Sequence, residues 1–278
     1  MLRTVDVGVL CWSLTLVSAA YIDLTYPINE NTLYWFKDKF VLEPLVRLTD
    51  PHWVATNKLS TAEHGGTHID APYHFNKDGW KLGQVPLNRL FMVEGVLINK
   101  TEEVLKDPEY QLTAKDIKDW EEENGALPSN CVVLVQFGWG NRYPDRVKYL
   151  GLKSDDDFDR HFPSLTGDAA EYLVESGKVF GIGSDTASPD SKGTPIVHKT
   201  VTKHNMFIME NMDLNNLDGV PPRGFKLVIL PMRIEQGTGG PVHVVLITDD
   251  KKKEKEENTK EEIKEEIKEE KKEEKKME

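Results

Sequence analysis

The chain has 278 residues, 38% of them hydrophobic, and a formal net charge of -12 at pH 7. This acidic balance excludes nucleic acid as the expected partner, because binding to phosphates requires a basic face. Between the two ends lie about 230 residues, enough for one large domain with a well-covered core.

Residues 1–20 have the pattern of a secretory signal peptide. Arg3 precedes an apolar run of roughly ten residues, and Ser18 and Ala20 form a small-x-small cleavage site. The run is too short to span a bilayer, and no later segment is apolar enough to do so. We therefore expect cleavage after Ala20, a secreted protein and no membrane partner. The alternative is a buried N-terminal strand or helix.

Seven apolar runs of strand length follow along the body of the chain. They are rich in Val, Ile and Phe, and most are too continuous for half-exposed strands. In chain order they lie near Tyr21, Val93, Cys131, Lys178, Met206, Phe225 and Pro241.

Helices are predicted between some of these strands. The first covers Thr113–Asn124, with Thr113 as N-cap, Asp116 as the acid of a capping box and Gly125 as the stop. A second covers Asp168–Ser176.

A third helix begins at Pro195, a residue suited to the first helical position, and continues through VHKTVTKH. Strands outnumber helices and mix with them without strict alternation. The pattern therefore favours an α/β fold with a mixed sheet or a barrel-like core.

Cys131 is the one cysteine of the expected mature chain, since Cys11 belongs to the signal peptide. It lies within the apolar run CVVLVQF, so we expect a buried free thiol and no internal disulfide.

Residues 249–278 consist mostly of Lys and Glu. Such a segment cannot bury enough apolar surface to fold into the body of the protein. Pairs such as Glu261 with Lys264 support an isolated helix. We expect a solvated tail that is disordered or forms a single helix.

The stretch TAEHGGTHIDAPYHF, Thr61–Phe75, packs three histidines and an aspartate into a segment whose glycines and proline exclude a continuous helix. If residues 67–70 are extended, His68 and Asp70 point to the same side. The two glycines let His64 fold round to the same point. Two imidazoles and one carboxylate then form an open site for Zn²⁺ or Mn²⁺.

His74 follows the proline turn, beside the expected ion. An ion with free coordination positions polarises a carbonyl and lowers the pKa of bound water, and an imidazole can take and return a proton near neutral pH. We therefore predict a metal site with His74 as proton shuttle. The alternative for each histidine is an ordinary core or surface imidazole.

These residues resemble the signature of the cyclase family of metal-dependent hydrolases, which includes bacterial-type kynurenine formamidase and isatin hydrolase. The signature is HGGTHIDAPYHF, and FPSLTGDAAEYLVE, GIGSDTASPD, VHKTVTKHNMFIMENM and GTGGPVHVV follow in the family's order. The resemblance covers about residues 21–249. It implies a swivelling β/β/α domain over residues 21–248, assembled as a homodimer or homotetramer.

The resemblance also implies a reaction. It is hydrolysis of a C–N bond in a small aromatic amide, formamide or lactam, of the N-formylkynurenine or isatin type, by metal-bound hydroxide. A second hypothesis is a secreted protein that binds a small ligand or a metal on a hydrolase scaffold.

Further site residues follow from the resemblance alone. A second ion would be held by His198 and Glu210, with Asp70 bridging both ions, so one or two ions are expected. His204 is the runner-up to His198, and the alternative for Glu210 is a surface acid. Trp35 aligns with an aromatic position that lines the family's substrate pocket, although it equally fits an ordinary core position.

Three more polar residues leave alternatives open. Asp185 and Ser188, in GSDTASPD, either support the ligands or form a capping turn. His243 stands where the family usually carries an arginine, so no role is carried over to it.

Overall fold

The computed structural model describes residues 19–191 and 193–249. Residues Tyr21–Thr248 form one compact unit. Residues 1–18 of the expected signal peptide and 250–278 of the charged tail lie outside the described residues, so both interpretations stay predictions. Among the described residues, no helix combines the length and apolar character needed to cross a bilayer.

The described residues contain twelve strands and five α-helices, numbered in chain order. The strands are β1 (Ala19–Asp23), β2 (Val41–Leu48), β3 (Val54–Ser60), β4 (His68–Asp70), β5 (Phe91–Asn99), β6 (Gln111–Leu112), β7 (Cys131–Gln136), β8 (Ser164–Leu165), β9 (Val179–Ser184), β10 (Phe207–Glu210), β11 (Arg223–Pro231) and β12 (Gly239–Asp249). The helices are α1 (Thr101–Lys106), α2 (Ala114–Asn124), α3 (Arg146–Leu150), α4 (Gly167–Glu175) and α5 (Ile196–Thr202).

Seven strands close into a barrel-like sheet. Their order is β12, β11, β5, β7, β9, β10 and β4, and β4 pairs again with β12 to close the ring. The run from β5 through β7 and β9 to β10 is parallel, whereas the remaining pairings in the ring are antiparallel. The mixed, barrel-like core confirms the predicted α/β class.

The closed sheet separates two hydrophobic cores, because successive side chains of a strand face opposite sides. In β7, Val132 and Leu134 pack inside the ring with side chains of β11 and β12. Cys131 and Val133 face outward, where α2, α4 and α5 cover the sheet. Cys131 is the predicted buried free thiol, and burial raises its pKa to about 11.

The predicted helix signals correspond to α2, α4 and α5. Thr113 caps α2, and the reciprocal bonds with Asp116 complete the capping box. Helix α4 begins and ends one residue earlier than expected. Pro195 precedes α5 as its capping residue and is not its first helical residue.

Strands β2 and β3 were not predicted. They form a separate two-stranded hairpin in which every residue is exposed. Because no side of this hairpin is buried, its sequence lacks the apolar alternation that marks a half-buried strand.

Candidate metal centre

Strand β4 brings the histidine motif to one point of the ring. It is only three residues long and lies between β10 and β12, pairing His68 with Glu210 on one side and with Pro241 on the other. Residues paired across strands share a face, and so do residues two apart on one strand. His68, Asp70 and Glu210 therefore converge on the outer side of the sheet, while Ile69 points into the core inside the ring.

His68 is held with its Nε2 towards the two carboxylates. Its Nδ1 lies 2.9 Å from the carbonyl oxygen of Gly66, which also accepts a bond from the Asn211 amide. Nδ1 therefore carries the proton, and Nε2 lies 3.3 Å from Asp70 Oδ1 and 3.5 Å from Glu210 Oε2. A backbone carbonyl that orients an imidazole in this way is typical of metal-ligating histidines.

His198 enters the same cluster from α5. Asp190 accepts the backbone N–H groups of Val197 and His198, and its Oδ2 lies 2.7 Å from His198 Nδ1. The imidazole thus turns Nε2 towards Asp70 Oδ2 at 3.2 Å and Glu210 Oε1 at 3.3 Å. The arrangement is the carboxylate–histidine pairing that fixes the tautomer of a ligand.

His64 approaches Asp70 from the opposite side. Its Nδ1 lies 2.6 Å from Asp70 Oδ1, and its Nε2 lies 2.8 Å from the Thr238 hydroxyl. That hydroxyl donates to Glu63, so it accepts from His64 Nε2. A neutral His64 would therefore aim the lone pair of Nδ1 at a carboxylate oxygen, a contact that a cation between the two atoms would make favourable.

His74 stacks on His64 with 4.0 Å between the ring centroids. Its nitrogen, the His64 nitrogen and an Asp70 oxygen all lie within 4.8 Å of one another, and the same holds for atoms of His68, Asp70 and Glu210. Asp70 is common to both groups. His74 is thus placed to act either as a ligand or as a proton acceptor, and its role as a shuttle stays a prediction.

The donor atoms suit a divalent cation. The histidines His64, His68 and His198 offer ring nitrogens, and Asp70 and Glu210 offer carboxylate oxygens. Zn²⁺ and Mn²⁺ both accept such a mixed set of ligands. Glu210 Oε1 is buried, and its contact with His198 Nε2 at 3.3 Å does not have the geometry of a hydrogen bond. A buried carboxylate oxygen in this state is costly, and a bound ion would satisfy it.

The electrostatics of the cluster point the same way. Burial lowers the pKa of His68, but the hydrogen bond and charge of Asp70 raise it to about 9. Burial raises the pKa of Asp70, yet hydrogen bonds from His198 and His64 hold it well below its usual range. Burial and the charge of Asp70 raise the pKa of Glu210. Nearby positive charge therefore stabilises these buried carboxylates. Protonated imidazoles supply this charge here, and a bound cation can supply it in their place.

His74 has a different environment. Burial lowers its pKa to about 4, and the neighbouring His64 and His198 add to this effect against the opposing charge of Asp70. Its imidazole is therefore neutral at neutral pH, which is the form that accepts a proton.

A cavity of about 690 Å³ opens beside the cluster. All seven predicted site residues line it, and aromatic side chains form much of its wall: Tyr34, Trp35, Phe36, Phe75 and Phe158. Trp35 also packs edge-on against Phe162 in the core and stacks under the Arg160 guanidinium at 3.9 Å. It thus satisfies both of the alternatives that its sequence position left open.

The structure settles the other open positions. Glu210 is buried, and His198 rather than the exposed His204 reaches the cluster. Asp185 accepts the backbone N–H groups of Phe137 and Trp139 and thus stabilises the turn after β7.

Of the two remaining residues, Ser188 lies at the edge of the site and His243 lies away from it. Ser188 lines the cavity and accepts the backbone N–H of Asp190. His243 is exposed and contacts Asp23.

Sequence reasoning missed the residues that orient the imidazoles. They are Glu63, Asp190, Asn211 and Thr238. Asp190 closes the quoted GIGSDTASPD segment and Thr238 lies in GTGGPVHVV, so both could have been suspected, but only the closed ring shows which histidine each one contacts.

Comparison with known proteins places this geometry in a family. A family model described as "Putative cyclase" matches residues 22–191. The chain belongs to this cyclase family.

Individual cyclase-family relatives cover most of the chain. The isatin hydrolase of Roseibium aggregatum is 32% identical over 208 residues, covering 72% of this chain and 77% of that protein. The kynurenine formamidase of Bacillus anthracis is 25% identical over 231 residues, covering 82% and 98%. A crystal structure of an isatin hydrolase bound to the product analogue thioisatinate matches with a TM-score of 0.75 and 29% identity, covering 84% of this chain and 93% of that one.

These relatives confirm the predicted family and fold. As a member of the cyclase family with such relatives, the chain is a hydrolase that acts on C–N bonds other than peptide bonds. The cluster of His, Asp and Glu side chains is consistent with a metal-dependent reaction of this family.

Proposed function

We propose that the protein is a metal-dependent hydrolase that cleaves the C–N bond of a small aromatic amide, formamide or lactam, similar to N-formylkynurenine or isatin. The observation that supports this most directly is the convergence of three imidazoles and two carboxylates on the wall of an aromatic-lined cavity. The named activities of the isatin hydrolase and kynurenine formamidase relatives agree with it.

His64, His68, Asp70, His198 and Glu210 would hold one or two ions, either Zn²⁺ or Mn²⁺, with Asp70 contacting both. A divalent ion in this position supplies Lewis acidity, which polarises the substrate carbonyl and makes water a nucleophile near neutral pH. Because His68 and His198 each donate Nδ1–H to a fixed acceptor, their Nε2 atoms already face the site, and loss of the Nε2 proton frees a lone pair for an ion.

His74 is the proposed proton carrier. One nitrogen of the uncharged ring would accept a proton from the attacking water and then deliver it to the departing nitrogen of the substrate. The ring is held by stacking on His64, beside the carboxylate of Asp70.

The cavity selects the shape of the substrate. Its volume of about 690 Å³ is within the range of sites for small molecules. Trp35 offers a rigid aromatic face on which a planar ring can stack. We therefore expect planar aromatic substrates to be preferred over aliphatic amides of equal size.

A substrate panel with paired variants tests the proposal. Isatin, N-formylkynurenine and simple formanilides are incubated with the wild type, His68→Ala and His204→Ala, and ring opening or formate release is measured. We expect turnover of at least one aromatic substrate by the wild type and by His204→Ala, and loss of both metal and turnover in His68→Ala. Metal-loaded wild type that binds these compounds without turning any of them over would contradict the proposal.

A further inference from the structure

Among the described residues, Arg160 is the sole arginine or lysine that lines the cavity. It lies in the loop between α3 and β8, and its guanidinium lies over the Trp35 indole, 3.9 Å from the ring centroid. Nη1 donates to the carbonyl oxygen of Phe158 at 3.2 Å, and Nη2 donates to that of Trp35 at 2.9 Å. Nε is buried and has no hydrogen-bond partner. Two uncharged carbonyls are thus the acceptors for a full positive charge in the cavity wall.

The acidic residues that precede Arg160 do not neutralise it. They are all engaged elsewhere, because they pair with Lys37, Arg146 or His161 or accept backbone N–H groups of their own loop. These residues are Asp155, Asp156, Asp157 and Asp159. No carboxylate of the described residues forms an ion pair with Arg160. Partial burial lowers the pKa of its guanidinium, and the charge of Arg146 adds to this effect. An arginine nevertheless keeps its charge at neutral pH.

We propose that Arg160 binds a carboxylate of the substrate, so that the preferred substrate is an aromatic amide, formamide or lactam with a carboxylate on its ring. This inference rests on the proposed function, since it narrows the substrate class of the same cavity. Each Nη atom carries a second N–H, so it can donate to a carboxylate while it keeps its carbonyl acceptor. A planar aromatic acid matches this wall, because its ring can pack against aromatic side chains while its carboxylate contacts the guanidinium.

Asp38 also lines the cavity and forms no ion pair within the part of the chain that the structure describes. Its negative charge repels a bound carboxylate. Because Asp38 is exposed, solvent and salt screen this repulsion, whereas Arg160 is partly buried and is screened less. The attraction by Arg160 therefore outweighs the repulsion by Asp38.

Substrates that differ in one charge test this role. Formate release is followed from the ortho, meta and para isomers of formamidobenzoate and from their methyl esters, which are similar in size but uncharged. For the wild type we expect kcat/KM to be about 10- to 100-fold higher for at least one acid than for its ester, as for a hydrogen bond between charged groups. The preference should arise mainly in KM and should shrink as salt is added.

Variants then assign the preference to one side chain. Arg160→Gln should abolish the preference for the acid over its ester, whatever its effect on activity as a whole, and Arg160→Lys should keep part of it. Asp38→Asn should increase it. Arg142→Gln is the matched control, because the Arg142 guanidinium also lies over a tryptophan, 3.7 Å from the Trp139 ring centroid, but does not line the cavity. This control should keep the preference of the wild type.

A carboxylate that binds the metal ion instead would give a preference that survives in Arg160→Gln, and that result would overturn the proposal. So would equal kcat/KM for every acid and its ester in the wild type. Titration calorimetry with the aminobenzoates and their methyl esters measures binding without turnover. Tighter binding of at least one acid by the wild type, lost in Arg160→Gln, supports the role of Arg160 even if no formamide is hydrolysed, a failure that would count against the proposed function alone. Equal affinity for acid and ester would contradict the role of Arg160.

Discussion

The position of His74 allows two roles that a single substitution separates. One of its nitrogens lies within 4.8 Å of a His64 nitrogen and an Asp70 oxygen, as in a shared set of ligands, yet its place beside the cavity suits a proton acceptor. A ligand contributes to the affinity for the ion, whereas a proton carrier contributes to the rate of turnover alone.

We predict that His74→Ala retains the metal content of the wild type and lowers kcat by about 10²- to 10⁴-fold, the usual contribution of general acid–base catalysis. Elemental analysis and steady-state kinetics on the same preparation measure both quantities. His204→Ala, at an exposed histidine outside the cluster, serves as the control. Loss of metal together with activity would instead make His74 a ligand.

Residue patterns alone predicted the local part of the site. His64, His68, Asp70 and His74 lie within one turn-rich segment, and the extended conformation expected for residues 67–70 agrees with β4. His198 and Glu210 came from the family resemblance, because their approach depends on the register of β10 with β4 and on the packing of α5. No local pattern encodes a contact of that length.

At the scale of elements, the capping box of α2 is the clearest agreement between sequence and structure. The Asp116 carboxylate accepts the backbone N–H of Thr113 at 2.8 Å and lies 3.0 Å from the Lys100 ammonium. Partial burial raises its pKa, but the Thr113, Tyr110 and Lys100 contacts hold that pKa well below the usual range.

We predict that Asp116→Ala lowers the free energy of unfolding by about 1–2 kcal/mol at pH 7. Because the carboxyl pKa is depressed on folding, its stabilisation is complete well above the unfolded value of about 4 and is lost as the pH falls below that value. The difference between wild type and variant should therefore narrow in acid, as measured by urea denaturation at several pH values.

Asp119→Ala removes another carboxylate of the same helix, one that pairs only with Lys115 at i,i+4 among the contacts described. Its cost should stay near 0.5 kcal/mol. An equal loss in both variants, independent of pH, would show that the capping box has no particular role.

Strand prediction succeeded where side chains are buried. The seven apolar runs correspond to β1, β5, β7, β9, β10, β11 and β12, most of which contribute to one or both cores. The hairpin strands β2 and β3 were not predicted, because every residue of both strands is exposed and their sequences lack the pattern of a buried strand. The two-residue strands β6 and β8 are too short to have a period.

At the scale of the whole molecule, closure of the ring creates the site. Strand β4 bridges β10 and β12, so a motif near residue 70, a glutamate at 210 and a threonine at 238 become neighbours. The outer face of this junction is covered by α5, which supplies His198, and the result is a buried cluster beside an open cavity.

We propose that this cluster binds an ion on which hydrolysis depends. The most direct measurement removes metal from the purified protein with a chelator, confirms its removal by elemental analysis, and follows aromatic amide or lactam turnover while Zn²⁺ or Mn²⁺ is added back. We predict negligible turnover without metal and recovery that saturates at one or two ions per chain. Full turnover by protein shown to be free of metal would contradict it.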